Sequence, residues 1–131
     1  MSRRKELLSL MNIDVSWMRD ELLSNHNQIN IDELKLMAVN CHKCELSKTR
    51  NKVVFGKGST NARIMIVGEA PGKDEDLSGE PFVGRAGKLL TEILFSMNLA
   101  RENVHITNTV KCRPPENRNP SSNEISCCSS Y

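Results

Sequence analysis

The chain predicts an α/β fold built on a strand–helix–strand unit, and three observations carry that expectation. An apolar run, Ile64-Met65-Ile66-Val67, stops abruptly at Gly68. From Gly84, the apolar positions Ala86, Leu89, Leu90, Ile93, Leu94 and Met97 then follow helical spacing. A second short run, Val104, Ile106 and Val110, brackets Asn108. Strand, helix and strand in that order imply two parallel strands joined by a right-handed crossover. Their carboxyl ends then share one sheet edge, where open α/β sheets keep their sites. Glu69 and Asn108, far apart in sequence, are expected to be neighbours.

The elements can be justified in order. Leu7, Leu8, Met11, Val15, Met18 and Leu22 step by threes and fours among charges, so residues 1 to about 25 predict a helix. After the polar break SNHNQIN, a second short helix starts at Asp32 with Leu34, Met37 and Ala38 on its apolar side, and it delivers the chain to Cys41. Residues 1–40 are thus expected to be a helical extension and 41–131 the main domain. Val53-Val54-Phe55, followed by Gly56 and Gly58, suggests an edge strand and a turn. The run from Ala62 to Val67 is too apolar to alternate and predicts a strand covered on both faces. The stretch from Gly68 to Gly84 is expected to be a loop. Beyond Pro120, SSNEISCCSSY shows little apolar periodicity.

At 131 residues, the chain suits one modest core. Its net charge of +2 is too weakly basic to indicate nucleic-acid binding by itself. No apolar run approaches a membrane span, and no secretory signal is evident, so the cytosol is the expected location. Thiols stay reduced there, so five cysteines point towards metal or reactivity rather than disulfides.

Cys41 and Cys44 form a C-x2-C pair, and Cys112 with Cys127 or Cys128 supplies two more thiolates. Four thiolates suit structural zinc or an iron–sulfur cluster, and scattered buried thiols are the plain alternative. The second pair is split by about fifteen residues, which leans towards iron–sulfur rather than a zinc ribbon. Gly68-Glu-Ala-Pro-Gly72 has the wrong glycine spacing for a dinucleotide fingerprint or a P-loop. Glu69, Asp74, Glu75 and Asp76 would ordinarily form a solvated acidic face, yet their place after a strand end suits general-base or charge-stabilising work. Phe82, between Pro81 and Gly84, is either core or a platform for a flat ring. An Asn at position 108 can pair with the donor–acceptor edge of a base. Lys111, Arg113 and Arg118, set among prolines, form a stiff basic loop suited to phosphates.

Together these stretches resemble the family 4 uracil-DNA glycosylases, the iron–sulfur branch of their superfamily. The matching text is CHKCELSKTRNKVVFGKGS, IMIVGEAPGKDEDLSGEPFVGRAGKLL and VHITNTVKCRPPENRNP, from Cys41 to Pro120. The resemblance implies a three-layer α/β/α sandwich with a parallel sheet and a 4Fe–4S cluster. It implies that Cys41, Cys44 and Cys112 are cluster ligands. The family's fourth cysteine follows an acidic residue by four positions, which from Glu124 implies Cys128, with Cys127 as the fallback. Phe82 would stack on uracil, Asn108 would read its edge, and Gly68 and Ala70 would line the base pocket. Glu69 and Glu75 match acids implicated in hydrolysis, whereas Ala70 stands where related families place a water-activating Asp. Lys111, Arg113 and Arg118 would meet DNA. The implied partner is uracil-containing DNA, taken by a monomer.

The family continues past the fourth cysteine with two more strands and a His-Pro loop. This chain has His26, His42 and His105, none followed by Pro, and its SCCSSY ending looks unlike the family. The expectation is an incomplete glycosylase that lacks its C-terminal strands and has weak or no activity. The alternatives are a non-catalytic iron–sulfur or zinc-binding module, or an inert fragment.

Overall fold

A computed structural model describes residues 30–131. The helix expected over 1–25, and with it most of the 1–40 extension, lies outside the described residues.

The first described helix, α1, is Ile31–Val39. The Asn30 side chain caps it by accepting from the Asp32 N–H at 3.2 Å, and Asp32 and Glu33 place negative charge in its first turn. Its burial is narrower than expected. Ala38 is buried and Leu34 partly so, but Met37 is exposed. The C-x2-C turn follows, then a single helical turn, α2 (Leu46–Thr49), anchored by buried Leu46.

The expected strand at 53–55 shifts towards the C-terminus. Val54 and Phe55 are buried beside the sheet, but ladder pairing falls on β1, Lys57–Gly58. The reason lies in the bonds that hold the earlier segment. Val54 N–H donates to the Lys111 carbonyl at 2.8 Å, whereas the Phe55 carbonyl is taken by the Thr107 hydroxyl at 2.7 Å. A side chain thereby replaces a ladder bond.

Strand β2 is Met65–Gly68 and β3 is His105–Asn108. They pair in parallel from Met65 opposite His105 to Gly68 opposite Asn108, as the βαβ reading requires. The sheet runs β1-β3-β2, and β1 is antiparallel to β3, so the described sheet is mixed rather than wholly parallel. The expectation that β2 is covered on both faces is also corrected. Ile66 packs inward, but Met65 and Val67 are 61% and 56% exposed, with no described element laid over them.

Two segments expected to be irregular are helical. Within the Gly68–Gly84 stretch, Lys73–Ser78 forms α3 and carries Asp74, Glu75 and Asp76. Past Pro120, Ser122–Cys128 forms α5, held by a capping box. Ser121 Oγ accepts from the Glu124 N–H at 3.3 Å, and Glu124 Oε2 accepts from the Ser121 N–H at 2.7 Å. Between them lies the crossover helix α4, Arg85–Ser96. Its Leu94 joins Val104 and Ile106 in the core, with Ile66, Phe82, Leu90 and Leu99 packed against them. Leu89, Ile93 and Met97, expected in the same apolar stripe, are exposed among the described residues. The architecture is α/β, with its core between α4 and the sheet.

Candidate functional site

The parallel register places Gly68 directly beside Asn108 at the carboxyl ends of β2 and β3. Pairing continues past the strands. The Gly68 carbonyl accepts from the Thr109 N–H at 2.8 Å, and the Glu69 carbonyl from the Val110 N–H at 3.1 Å. The expected proximity of Glu69 and Asn108 is therefore built by the sheet itself.

Glycine is needed at 68 because two side chains converge there. A Cβ would run into Asn108 Oδ1 and would lie 2.6 Å from Phe82 Cζ. Asn108 is 3% exposed, so its amide has little freedom to turn away. Ring and amide face a cavity of about 260 Å³, which is also lined by Glu69, Ala70, Glu75 and Arg118. The structure thus gathers seven expected site residues at one strand-end pocket: Gly68 beneath it, with Glu69, Ala70, Glu75, Phe82, Asn108 and Arg118 lining it. It adds Asn117, which the sequence reading passed over, and Pro114 from the stiff loop. The prolines flanking them were the available signal, since a stiff loop near a strand end must face something.

The two acids in the pocket have different surroundings. Glu69 is exposed at the cavity. Glu75 is engaged. Its Oε1 accepts from the Val83 and Gly84 N–H groups, each at 2.9 Å, and its Oε2 from the Gly72 N–H at 3.1 Å. Burial works to raise this carboxyl, but the N–H groups, led by that of Gly84, outweigh it and hold it below its ordinary range. Glu75 thereby closes the loop from Gly72 to Gly84 on itself. The Gly72 N–H is consumed in the process and does not face the pocket as a free donor.

The basic loop divides. Lys111 is 6% exposed, which corrects its expected place on the DNA-facing surface. Its Nζ donates to the Asn108 carbonyl at 2.7 Å and to Thr107 Oγ1 at 2.9 Å, and sits 5.8 Å from the Phe55 ring centroid. Burial pushes its pKa down, while the Cys128 thiolate works the other way. Two inward acceptors and an aromatic face near the ammonium draw this lysine into the core. Arg113 donates to Asn117 Oδ1 at 2.7 Å, and Arg118 forks onto Glu124 at 2.9 and 2.7 Å.

The cysteines form a second centre, drawn from three segments. Cys112 and Cys128 are buried, and Cys41, Cys44 and Cys127 are partly so; all are free thiols. Burial raises the Cys44 thiol, and the charges of Cys128, Cys127 and Cys41 add to that. Burial likewise raises Cys112, against Arg50, whose Nη1 donates to its sulfur at 3.3 Å; Cys128 and Cys44 again reinforce the rise. Burial also works upward on Cys41, but the Tyr131 hydroxyl, the Lys43 N–H and the Lys43 and Arg50 charges bring it below the ordinary thiol range. Cys127 differs in that its Sγ donates outward to the Lys43 carbonyl at 3.5 Å. Asp76, expected either on a solvated acidic face or among the acids of the site, instead ties this region to α3. It is buried and accepts from Asn51 N–H at 2.9 Å and Asn51 Nδ2 at 2.5 Å. Among the described residues, no three Cys, His, Asp or Glu side chains gather closely enough for one metal ion. Four thiols linked through Cys44, which feels Cys41 and Cys128 and is felt by Cys112, nevertheless match the donor chemistry of a multi-iron cluster, whose ligands bind separate irons.

Comparison with known proteins identifies the family. The uracil DNA glycosylase superfamily model matches residues 55–131. The match reaches Tyr131, so the SCCSSY tail, expected to look unlike the family, falls within it. Type-4 uracil-DNA glycosylases are similar: 54% identical over 102 residues in Archaeoglobus fulgidus, covering 78% of this chain and 51% of the relative. The figures are 52% over 103 residues in Saccharolobus solfataricus, covering 78% and 48%, and 50% over 91 residues in Thermotoga maritima, covering 70% and 47%. The chain spans about half the length of these relatives. No described helix is long and apolar enough to cross a membrane. The matched model covers more than half of the chain, and the chain belongs to the uracil DNA glycosylase superfamily.

Proposed function

We propose that this chain carries the base-reading half of a type-4 uracil-DNA glycosylase, which hydrolyses the N-glycosidic bond of uracil in DNA during base excision repair. The observation that carries the reading is the convergence of the Phe82 ring and the Asn108 amide over Gly68. A base must leave the stack to be reached, at a cost of a few kcal/mol. Phe82 offers a flat face on which the extruded ring stacks. The Asn108 amide accepts from uracil N3–H and donates to O4, an edge that cytosine presents reversed.

Bond cleavage leaves positive charge on the sugar and negative charge on the departing uracil, and water adds at C1′ to leave an abasic site. Glu69 is the carboxylate free to favour the sugar's charge or to orient that water. Glu75 contributes through the backbone it holds, and Lys111 by fixing the Asn108 carbonyl from behind. Arg118, on the cavity wall, and Arg113 beside it serve the phosphate backbone.

Cys41, Cys44, Cys112 and Cys128 would hold a 4Fe–4S cluster, which would supply a tie between the C-x2-C turn, Cys112 and the end of α5. Cys128 is favoured over Cys127 because it is buried and its charge is felt by both Cys44 and Cys112.

Binding of the purified chain to single-stranded oligonucleotides with one uracil or one cytosine tests the reading. The expected preference for uracil is about tenfold or more, from the discrimination of one bidentate pair. Equal affinity for the two strands overturns it. An excision assay on the same uracil strand, free of host glycosylase, measures how much turnover this half retains.

A further inference from the structure

Phe82 has a backbone φ of 54°, in the left-handed region that a bulky aromatic rarely enters. Its two neighbours are pinned by side chains of opposite charge. On one side, Glu75 takes the N–H groups of Val83 and Gly84. On the other, Arg101 Nη2 donates to the Pro81 carbonyl at 2.9 Å. The same guanidinium reaches α4, with Nη1 donating to the Gly87 carbonyl at 3.3 Å and to Thr91 Oγ1 at 3.1 Å. At Gly87, a Cβ would strike the Phe82 carbonyl, so the first turn of α4 is pressed against the strained residue. Arg101 lies apart from the base pocket. It lines a different cavity of about 750 Å³, and Phe82 belongs to the walls of both.

We infer that Arg101 is a positioning residue for base recognition, a clamp that holds Phe82 in its left-handed conformation with the ring over Gly68 and Asn108. A strained backbone persists only where its surroundings over-determine it. Here the peptide entering Phe82 is tied to the crossover helix by a guanidinium, while the peptide leaving it is tied to α3 by a carboxylate. Without the first tie, φ at Phe82 relaxes to negative values and the ring swings away from the amide. Arginine suits the position because its planar fork serves three acceptors on two segments, whereas an ammonium is a single point. The inference rests on the proposed stacking role of Phe82, but the geometry can be tested apart from it.

The test uses the 131-residue chain with labelled phenylalanine, read by NMR contacts from the Phe82 ring to Gly68 and the Asn108 amide. Contacts from the buried Phe55 ring report the fold. In wild type the Phe82 contacts are expected. In Arg101→Met they should vanish while those of Phe55 persist, and affinity for a uracil-containing single strand should fall about tenfold, the worth of one stacking partner. Affinity for the same strand without uracil should stay unchanged, which a general loss of stability would not produce. Arg101→Lys should recover part of the contact. Retained Phe82 contacts in Arg101→Met overturn the clamp. If that variant fails to fold, Arg101→Lys decides, and a ring contact there equal to wild type overturns it equally. A wild type that shows the contacts but no uracil preference would refute the base-reading proposal and leave the clamp standing.

Discussion

The strand-end pocket and the cysteine cradle are assembled in opposite ways. The pocket comes mainly from residues 68–86 and the end of β3, with one wall from the loop at 114–118, and backbone N–H groups already hold its shaping carboxylate at 2.9 to 3.1 Å. The cradle draws thiols from positions 41, 44, 112 and 128, whose sulfurs accept only long hydrogen bonds, from the Lys43 N–H to Cys41 at 3.5 Å and from Arg50 to Cys112 at 3.3 Å. The first region is organised locally by the protein. The second joins segments that are distant in sequence, and under the proposed function it would gain its cohesion from a cluster held by the four sulfurs. A pocket of this kind should survive loss of the cradle's occupant, and Lys111, which bonds the Asn108 carbonyl while sensing Cys128, is the point where that independence could fail.

The largest expected effect comes from breaking the cradle. Cys112→Ser, prepared anaerobically, should lose the broad visible absorption of an iron–sulfur cluster and melt about 10 °C or more below wild type, since a structural metal site contributes several kcal/mol to folding. Cys127→Ser should keep its colour. A colourless wild type with stoichiometric zinc would reject the cluster. If Cys112→Ser also abolishes the Phe82–Asn108 contact, the two regions form one unit and the comparison fails.

Next in size is Asn108→Ala. It should remove the preference for uracil over cytosine, a loss of about 1–3 kcal/mol for one bidentate pair. Binding of the strand as a whole should persist, because phosphate contacts remain. Titration of both oligonucleotides against the variant measures the two quantities together.

A smaller effect separates the two pocket acids. Glu75→Gln keeps the shape but loses the charge that three N–H groups share, and should cost about 1–3 kcal/mol of stability. Glu69→Gln, exposed and without such bonds, should leave the melting temperature within about 2 °C of wild type. Equal melting temperatures for the two variants would remove the distinction between a holding acid and a free one.

These contrasts also explain what could be read in advance. The two apolar runs and the helical spacing between them were sufficient to place Gly68 beside Asn108, because parallel pairing aligns strand ends without further information. The role of Glu75 was not legible, because it depends on the Val83 and Gly84 N–H groups folding back onto α3. Helix α3 itself has Leu77 as its one large apolar residue, so it shows no period to detect. Helix α5 did carry a signal, the Ser121-x-x-Glu124 capping box, which its serine- and cysteine-rich composition obscured. Lys111 looked like part of a basic loop because a sequence does not show that Phe55 lies beneath it.

The smallest effect concerns the seam where the two regions meet. Arg118 lines the pocket and forks onto Glu124, the capping residue of the helix that ends in Cys128. The Arg118 hydrogen bonds lead in lowering the Glu124 carboxyl from 4.5 to about 2, helped by the Ser121 N–H. A depressed carboxylate contributes stability that is fully present above its unfolded value and declines as pH falls through the folded one. The capping helix should therefore hold at neutral pH and weaken progressively from about pH 4.5 down towards 2. In Arg118→Met, with the fork gone, the Glu124 titration should move up towards 4.5, and the acid loss should begin at higher pH. Glu124→Gln should flatten the dependence in this window, leaving less stability at neutral pH and little further loss from this group on acidification. Side-chain carboxyl NMR of Glu124 across pH 2 to 7 reads the shift directly. A midpoint unchanged by Arg118→Met would mean that the helix cap holds Glu124 without the pocket's arginine, and that the two regions are independent at this seam as well.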